Sequence, residues 1–188
     1  MSTPNPAFAR VTTARLLLRA VRDDDLDVIY QLHVDPETSR FDATGALTSM
    51  AEARELLARW QADWSREGLG YWMVERLDAP GLVVGVGGVR HKEIEGERVL
   101  NLAYRFSPRA WGQGYATEVA RAALDLSARY VPDVPLVAII SPVNGPSLRV
   151  AQRLGLRLER VISYLGSDNG LYRVAGPGGV RPSGSGVI

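Results

Sequence analysis

Two glycines separated by one residue, Gly112 and Gly114, stand directly before a segment with helical periodicity. Apolar side chains recur at helical spacing from 116 to 130, which predicts an amphipathic helix over those residues. Glycine lets the backbone turn sharply, and the start of a helix offers N–H groups that have no acceptor within the helix. The loop and the helix start together predict a site for an anion such as a phosphate or pyrophosphate.

Two other phosphate-binding patterns do not fit the chain. A P-loop requires Gly-Lys followed by Ser or Thr, and the sequence contains no such triplet. The glycines at Gly85, Gly87 and Gly88 are followed by Val-Arg-His-Lys-Glu, which does not open an apolar-faced helix as a dinucleotide fingerprint requires. We interpret these three glycines as part of a strand.

The composition limits the classes of protein that the chain can belong to. Its 188 residues suffice for one well-buried domain and are too few for two ordinary ones. The net charge of +1 gives no bulk attraction to nucleic acid or to an anionic membrane, so neither is expected as a partner. The absence of cysteine excludes disulfides, thiolate metal sites and a cysteine nucleophile. A polar N-terminus without a signal-peptide core leads us to expect a cytoplasmic protein.

The pattern of strands and helices predicts an α/β fold with a mixed, mostly antiparallel sheet and helices on its faces. Residues 1–10 are expected to be a flexible lead, 11–175 a single domain, and 176–188 a tail rich in Gly, Pro and Ser. The predicted elements, in chain order, are a strand at 15–19, helices after 23–25 and after Ser49, strands at 71–75, 82–89 and 99–105, a helix at 116–130, a strand at 134–140, a short helix after Asn144, and strands at 156–164 and 171–174.

Two sequence motifs resemble a known enzyme family. The stretch from Ser107 to Glu118 resembles the acyl-CoA pyrophosphate loop of the GNAT acetyltransferases, and in particular that of the RimJ/RimL-type ribosomal-protein N-acetyltransferases. The second signature, an Asn and a Ser that open a short helix ending in Leu-Gly, appears between Asn144 and Gly155. The resemblance runs from about Arg15 to Val174. It implies a central sheet of about seven strands, with one splayed parallel pair and helices on both faces.

The resemblance also implies how the donor is held. Acetyl-CoA, or another acyl-CoA, would be the co-substrate, and no metal is expected. Backbone N–H groups of the glycine loop would hold the pyrophosphate, and the pantetheine arm would pair with exposed strand edges. The residues implied in cofactor binding are Leu102, Ala103, Tyr104, Arg109, Gly112, Gln113, Gly114, Tyr115, Ala116, Thr117, Asn144, Ser147 and Arg149.

The implied catalytic residues are Ser147, Tyr104 and Asn101. Ser147 would protonate the departing thiolate. Relatives often carry Glu-Ile-Gly-Tyr in the strand before the loop, where this chain has Asn-Leu-Ala-Tyr from Asn101 to Tyr104, and an Asn cannot accept a proton as a carboxylate does. The base is therefore left open among Glu75, Glu95, Glu97 and a water held by Asn101 or Tyr104.

The function that the resemblance implies is transfer of an acetyl or other short acyl group to a primary amine, by direct attack in a ternary complex. The acceptor could be a protein N-terminus, an amino sugar, a polyamine or a small metabolite, and a homodimer is a possible state. Glu37, Asp42 and Trp72 are candidates to shape the acceptor pocket. The alternative is an acyl-CoA-binding module with weak or lost catalysis, which the missing strand carboxylate would permit.

Overall fold

The computed structural model describes residues 6–41 and 45–174 of the chain. The strands within these residues are β1 (Arg10–Thr12), β2 (Leu16–Arg19), β3 (Tyr71–Arg76), β4 (Ala79–Ile94), β5 (Glu97–Phe106), β6 (Leu136–Ile140), β7 (Leu156–Tyr164) and β8 (Ser167–Val174). They form one sheet in the order β1-β2-β3-β4-β5-β6-β8-β7. Every neighbouring pair is antiparallel except β5 and β6, which run parallel.

The described residues also form helices, and none of these is long and apolar enough to cross a membrane. They are α1 (Pro6–Ala9), α2 (Leu26–Val34), α3 (Pro36–Ser39), α4 (Met50–Glu67), α5 (Tyr115–Tyr130) and α6 (Gly145–Arg153). Ser49, after which the sequence predicted a helix, is the N-cap of α4, because its hydroxyl accepts the N–H of Glu52 at 3.3 Å. The helix ends at Gly68, whose φ of 72° is left-handed.

Helices cover both faces of the sheet. Trp60 of α4 meets the ring of Tyr71 edge-on, and the next strand residue, Trp72, stacks on Phe8 of α1. Phe8 also meets the ring of Tyr130 in α5. Because successive strand residues point to opposite faces, α4 lies on one face, here called the α4 face, and α1 and α5 lie on the other, the α5 face. The expected mixed sheet with helices on both faces is confirmed.

The N-terminal segment differs from the flexible lead that the sequence predicted. From Pro6 onward it forms α1 and then β1, and Phe8 is fully buried. The indole N–H of Trp72 donates to the Phe8 carbonyl at 2.7 Å, which fixes the segment to the core. Strand β1 is also the reason why the sheet has eight strands instead of about seven. The predicted tail at 176–188 lies outside the described residues.

The parallel pairing of β5 with β6 is short. Its register contains only Leu100 opposite Leu136 and Asn101 opposite Val137. Strand β5 continues to Phe106 and β6 to Ile140, so the two strands separate beyond these pairs. Their separation opens a cleft at the carboxyl end of both strands.

A buried ionic group joins β2, β3 and the turn before α2. The guanidinium of Arg19 donates two hydrogen bonds to Asp25, at 2.7 and 2.8 Å, and its Nε donates to Glu75. The Arg19 side chain is only 8% exposed. The hydrogen bond with Asp25 is the largest influence on the pKa of Arg19, and together with Glu75 it raises that pKa despite burial. The Arg19 guanidinium therefore stays charged at all ordinary pH values.

We expect Arg19→Met to lower the free energy of unfolding by about 3–5 kcal/mol, because it leaves the buried carboxylates of Asp25 and Glu75 without their cation. The matched control is Arg76→Met, which removes an exposed ion pair with Asp78 and should cost far less, because solvent screens that pair. Urea denaturation at pH 7 measures both values. Equal losses for the two variants would contradict the role assigned to Arg19.

Candidate active site

The cleft between β5 and β6 has a volume of about 120 Å³. One wall comes from β5, the other from β6, and α6 lies beside the opening. The residues that line it are Leu102, Ala103, Tyr104, Ala138, Ile139, Ile140, Asn144, Ser147, Val150, Ala151, Leu154 and Leu156. The cleft thus contains Leu102, Ala103, Tyr104, Asn144 and Ser147 from the set of residues that the sequence singled out.

Ser147 and Tyr104 meet in this cleft. The Asn144 side chain accepts the N–H of Ser147 at 3.1 Å, so Asn144 caps α6 and fixes the position of Ser147. The phenol of Tyr104 and the hydroxyl of Ser147 both line this cleft. Burial raises the pKa of the Tyr104 phenol, and the nearby Ser147 hydroxyl offsets part of that rise. The Tyr104 phenol is consequently protonated at neutral pH and can act as a donor.

The glycine loop has the geometry expected of an anion site. Gly112 and Gly114 have φ values of 75° and 79°, in the left-handed region that favours glycine. Gly114 is the N-cap of α5, and no side chain caps the helix. The first helical hydrogen bond runs from the N–H of Glu118 to the Gly114 carbonyl, so the N–H groups of residues 115–117 precede the helical ladder. Gly112, Gln113 and Gly114 are exposed.

The loop is held in place by residues from the opposite end of the sequence. The Glu118 carboxylate accepts hydrogen bonds from the Thr13 hydroxyl at 2.7 Å and from the backbone N–H and Nε of Arg15 at 2.9 and 2.8 Å. The Arg15 guanidinium also donates to the Gln113 carbonyl at 2.8 Å. We call this group the Glu118 clamp. It fixes both the loop and the first turn of α5 to the β1–β2 hairpin.

Arg15 is a residue of the loop region that sequence reasoning missed. Its side chain is 49% exposed, and its guanidinium, which pairs with Glu118, lies beside the exposed glycines. Arg15 and Gln113 are 98 residues apart in the sequence, so the hydrogen bond between them could not be predicted from local patterns. The only signal in the sequence was the charged residue that opens the Arg-Leu-Leu-Leu-Arg run, and nothing in that run indicates its partner.

The other cations implied in cofactor binding lie at the surface. Arg109 is exposed in the 3-10 turn Pro108–Ala110, just before the loop. Arg149 is exposed on α6, and its guanidinium lies 3.4 Å from where a Cβ on Gly145 would be. Arg149 is therefore near the start of α6.

Asn101 lies on the other face of β5 from Tyr104. It is 4% exposed, and its side-chain amide donates to the Tyr71 hydroxyl at 2.8 Å on the α4 face. Burial raises the pKa of Tyr71 to about 12, although the nearby Arg90 and the hydrogen bond from Asn101 favour the phenolate. The structure therefore brings Ser147 and Tyr104 together and separates Asn101 from them.

The three carboxylates considered as bases are all paired with arginines. Glu75 binds Arg19, the Glu95 carboxylate accepts from Arg160 at 2.9 Å, and the Glu97 carboxylate accepts from Arg173 at 2.8 Å. None of them lines the cleft. Among the acceptor-pocket candidates, Trp72 is fully buried, Glu37 is exposed at the start of α3, and Asp42 lies outside the described residues.

The sequence match agrees with this geometry. The model of the acetyltransferase (GNAT) domain matches residues 15–157, which is most of the chain. The chain belongs to the GNAT acetyltransferase family, and it is an acetyltransferase by that membership.

Individual relatives show the same likeness. The Bacillus subtilis protein YkkB is 30% identical over 157 residues, covering 83% of this chain and 90% of its own length. An acetyltransferase structure from Agrobacterium tumefaciens has a TM-score of 0.75 at 25% identity, over 92% of this chain and 95% of that one. Mycobacterium smegmatis RimJ, solved in complex with CoA-disulfide, has a TM-score of 0.73 at 18% identity, over 92% and 90% of the two chains.

The Glu118 clamp makes stability depend on pH. Burial raises the pKa of Glu118, but the hydrogen bonds from Thr13 and Arg15 outweigh it and hold the pKa below its ordinary value. A carboxylate whose pKa is lower in the folded than in the unfolded chain stabilises the fold at pH values above its unfolded pKa. That stabilisation is lost as the pH falls. We expect Glu118→Gln to cost about 1–3 kcal/mol at pH 7 and progressively less as pH falls below about 4.5. Urea denaturation at pH 7 and at pH 3.5 tests this, and an unchanged difference would contradict it.

Proposed function

We propose that this chain transfers an acetyl or other short acyl group from acyl-CoA to a primary amine, by direct attack in a ternary complex. The observation that carries the proposal is the combination of an uncapped helix start at Gly114 with a cleft that contains the Ser147–Tyr104 pair. An acyl-CoA has the matching features: a pyrophosphate for the helix start and a narrow arm for the cleft.

The chain's residues fit a CoA molecule on the α5 side of the cleft. The backbone N–H groups of residues 114–117 would bind the pyrophosphate, since they precede the helical ladder and face no capping side chain. Arg15 lies beside them with half of its side chain exposed. Beyond Asn101, the edge of β5 that faces β6 has no parallel partner, so its backbone groups can pair with the pantetheine amides. The CoA-disulfide complex of RimJ, a protein of the same fold, supports this fit.

The chemistry needs a neutral amine, a stabilised oxyanion and a proton for the leaving sulfur. The amine nitrogen forms a bond to the thioester carbon, the bond from that carbon to sulfur breaks, and the thiolate takes a proton from the Ser147 hydroxyl. The cap from Asn144 to the Ser147 N–H holds that residue in position, and Tyr104 lies beside it in the cleft. A backbone N–H between Leu102 and Tyr104 is the oxyanion donor. The proton lost by the amine passes to water and balances the one that Ser147 regains.

The proposed reaction requires a primary amine as the acceptor, which can belong to a protein N-terminus, an amino sugar, a polyamine or a small metabolite. A thiol-release assay with acetyl-CoA and a panel of such amines tests the activity. Release of CoA that depends on an amine supports the proposal. Tight CoA binding without release for any amine would instead establish a CoA-binding module.

We expect Gly114→Asp to weaken CoA binding at least 100-fold, because it places a carboxylate where the pyrophosphate binds and strains a left-handed residue. Gly96→Asp is the matched control, since Gly96 has a φ of 81°, open space around it and a place in the β4–β5 turn. Isothermal titration with CoA measures both affinities. Equal affinities would contradict the assignment of the loop.

We expect Ser147→Ala to lower kcat by about 10-fold or more while the Kd for CoA changes less than about threefold, because the hydroxyl acts on the leaving thiolate. The control is Ser163→Ala, an exposed serine of β7. Steady-state kinetics and CoA titration supply the two values. If kcat is unchanged, Ser147 only supports the start of α6.

A further inference from the structure

Lys92 is the only lysine in the sequence, and every other basic residue among its 22 Lys and Arg is an arginine. It lies on β4, two residues after Arg90, which is opposite Asn101 in the β4–β5 register. Residues two apart on a strand share a face, so Lys92 and Arg90 both lie on the α4 face with Asn101. The arrangement places two cations beside the amide that bonds Tyr71.

The contacts of Lys92 leave most of its binding capacity unused. Its ammonium donates to the Tyr164 hydroxyl at 2.6 Å and lies 5.1 Å from the centre of the Tyr164 ring. Among residues 6–41 and 45–174, no carboxylate lies within ion-pair distance of Lys92. An ammonium carries three N–H donors, so two remain for another acceptor.

Arg90 adds a second cation with an unused donor. One of its terminal nitrogens pairs with Asp63 at 2.9 Å, while its Nε is buried without an acceptor among the described residues. Arg90 and Lys92 therefore face a single carboxylate, and the region keeps an excess positive charge. We call Tyr71, Arg90, Lys92, Asn101 and Tyr164 the Lys92 cluster.

The Lys92 cluster extends along β5 toward the cleft: Lys92 is opposite Val99, four residues before Ala103, and Asn101 lies between them on the same face. Ala103 and Ile139 line the cleft, and alternation along β5 and β6 places both on the α4 face with Asn101 and Val137. Ile139 and Tyr164 pack against the same small apolar cluster, which includes Val137. The cluster thus lies on the side of the cleft opposite to Tyr104, which is the side left for an acceptor.

We propose that the acceptor is an amine that also carries a carboxylate, and that Lys92 and Arg90 bind this carboxylate. The inference rests on the proposed function and narrows its acceptor. An acceptor carboxylate supplies the acceptor atoms that the two cations lack and neutralises their excess charge. A polyamine would place further positive charge there and is disfavoured. Transfer itself is unchanged: the bond from nitrogen to the acyl carbon forms, and the bond from that carbon to sulfur breaks.

Matched acceptor pairs test the inference. β-Alanine is compared with β-alaninamide, and a peptide that begins Ser-Glu with one that begins Ser-Gln, so that each pair differs only in one carboxylate. We expect kcat/KM to favour the carboxylate member of at least one pair by about 10-fold or more. A preference in the β-alanine pair would indicate a free amino acid as the acceptor, and a preference in the peptide pair would indicate a protein N-terminus. Equal values of kcat/KM within both pairs would overturn the inference. Turnover that depends on an amine would still support the proposed function.

Variants locate the source of the preference. Lys92→Met should abolish most of it, Lys92→Arg should retain it because the charge is kept, and Arg129→Met, which removes one exposed charge from α5, should leave it unchanged. Thermal unfolding of each variant checks that the fold persists. A preference that survives Lys92→Met would overturn the role of Lys92.

A binding measurement keeps the inference testable without turnover. Titration of N-acetyl-β-alanine and its amide into the enzyme saturated with CoA should show tighter binding of the acid, and the difference should vanish in Lys92→Met. If no amine supports thiol release but the acid binds selectively, the proposed function fails and the carboxylate site stands. The inference is overturned if turnover shows no preference for a carboxylate and, in addition, the acid and the amide bind equally or neither binds.

Discussion

The candidate active site depends on how little of β5 and β6 is paired. Only two residue pairs join the strands, at Leu100 and Asn101, before they diverge. Strand β6 can leave β5 without losing its place in the sheet, because it pairs antiparallel with β8 from Val137 to Ile140. Backbone N–H and C=O groups that would pair with each other in a continuous sheet are therefore available to bind a ligand. Helix α6 lies beside the gap, with Ser147 near its start. The cleft is thus a consequence of sheet topology rather than of any single side chain.

The glycine loop shows that local conformation and long-range contacts are both needed to make an anion site. Left-handed Gly112 and Gly114 allow the turn, but they do not fix where it points. Its direction is fixed by Glu118 in the first turn of α5, which binds Thr13 and Arg15 of the β1–β2 hairpin. The same arginine holds the Gln113 carbonyl. The acidic side chain also lies near the positive end of the helix dipole, which favours its charge.

Features with a local cause could be read from the sequence. The start of α4 at Ser49, the glycine loop and the start of α6 at Asn144 all depend on residues within one turn of each other, and all three were predicted. The residues of the cleft that we propose for cofactor binding came from the family resemblance. Features that depend on register or distant pairing were not predictable. Strand β1 was missed because three residues are too few to show an alternating apolar pattern. The contact of Asn101 with Tyr71 can be predicted only when it is known which strands are neighbours.

The alternation of side chains along β5 has a consequence for how such enzymes diversify. Leu102 and Tyr104 face the donor side of the cleft, while Asn101 and Ala103 face the side that the proposed acceptor approaches. One strand therefore carries two interleaved sets of positions that contact different molecules. Substitutions in one set can change selectivity for the acceptor while the other set, and with it the affinity for the common donor, stays intact. Evolution and protein engineering can treat the two sets as separately adjustable parts of a single strand.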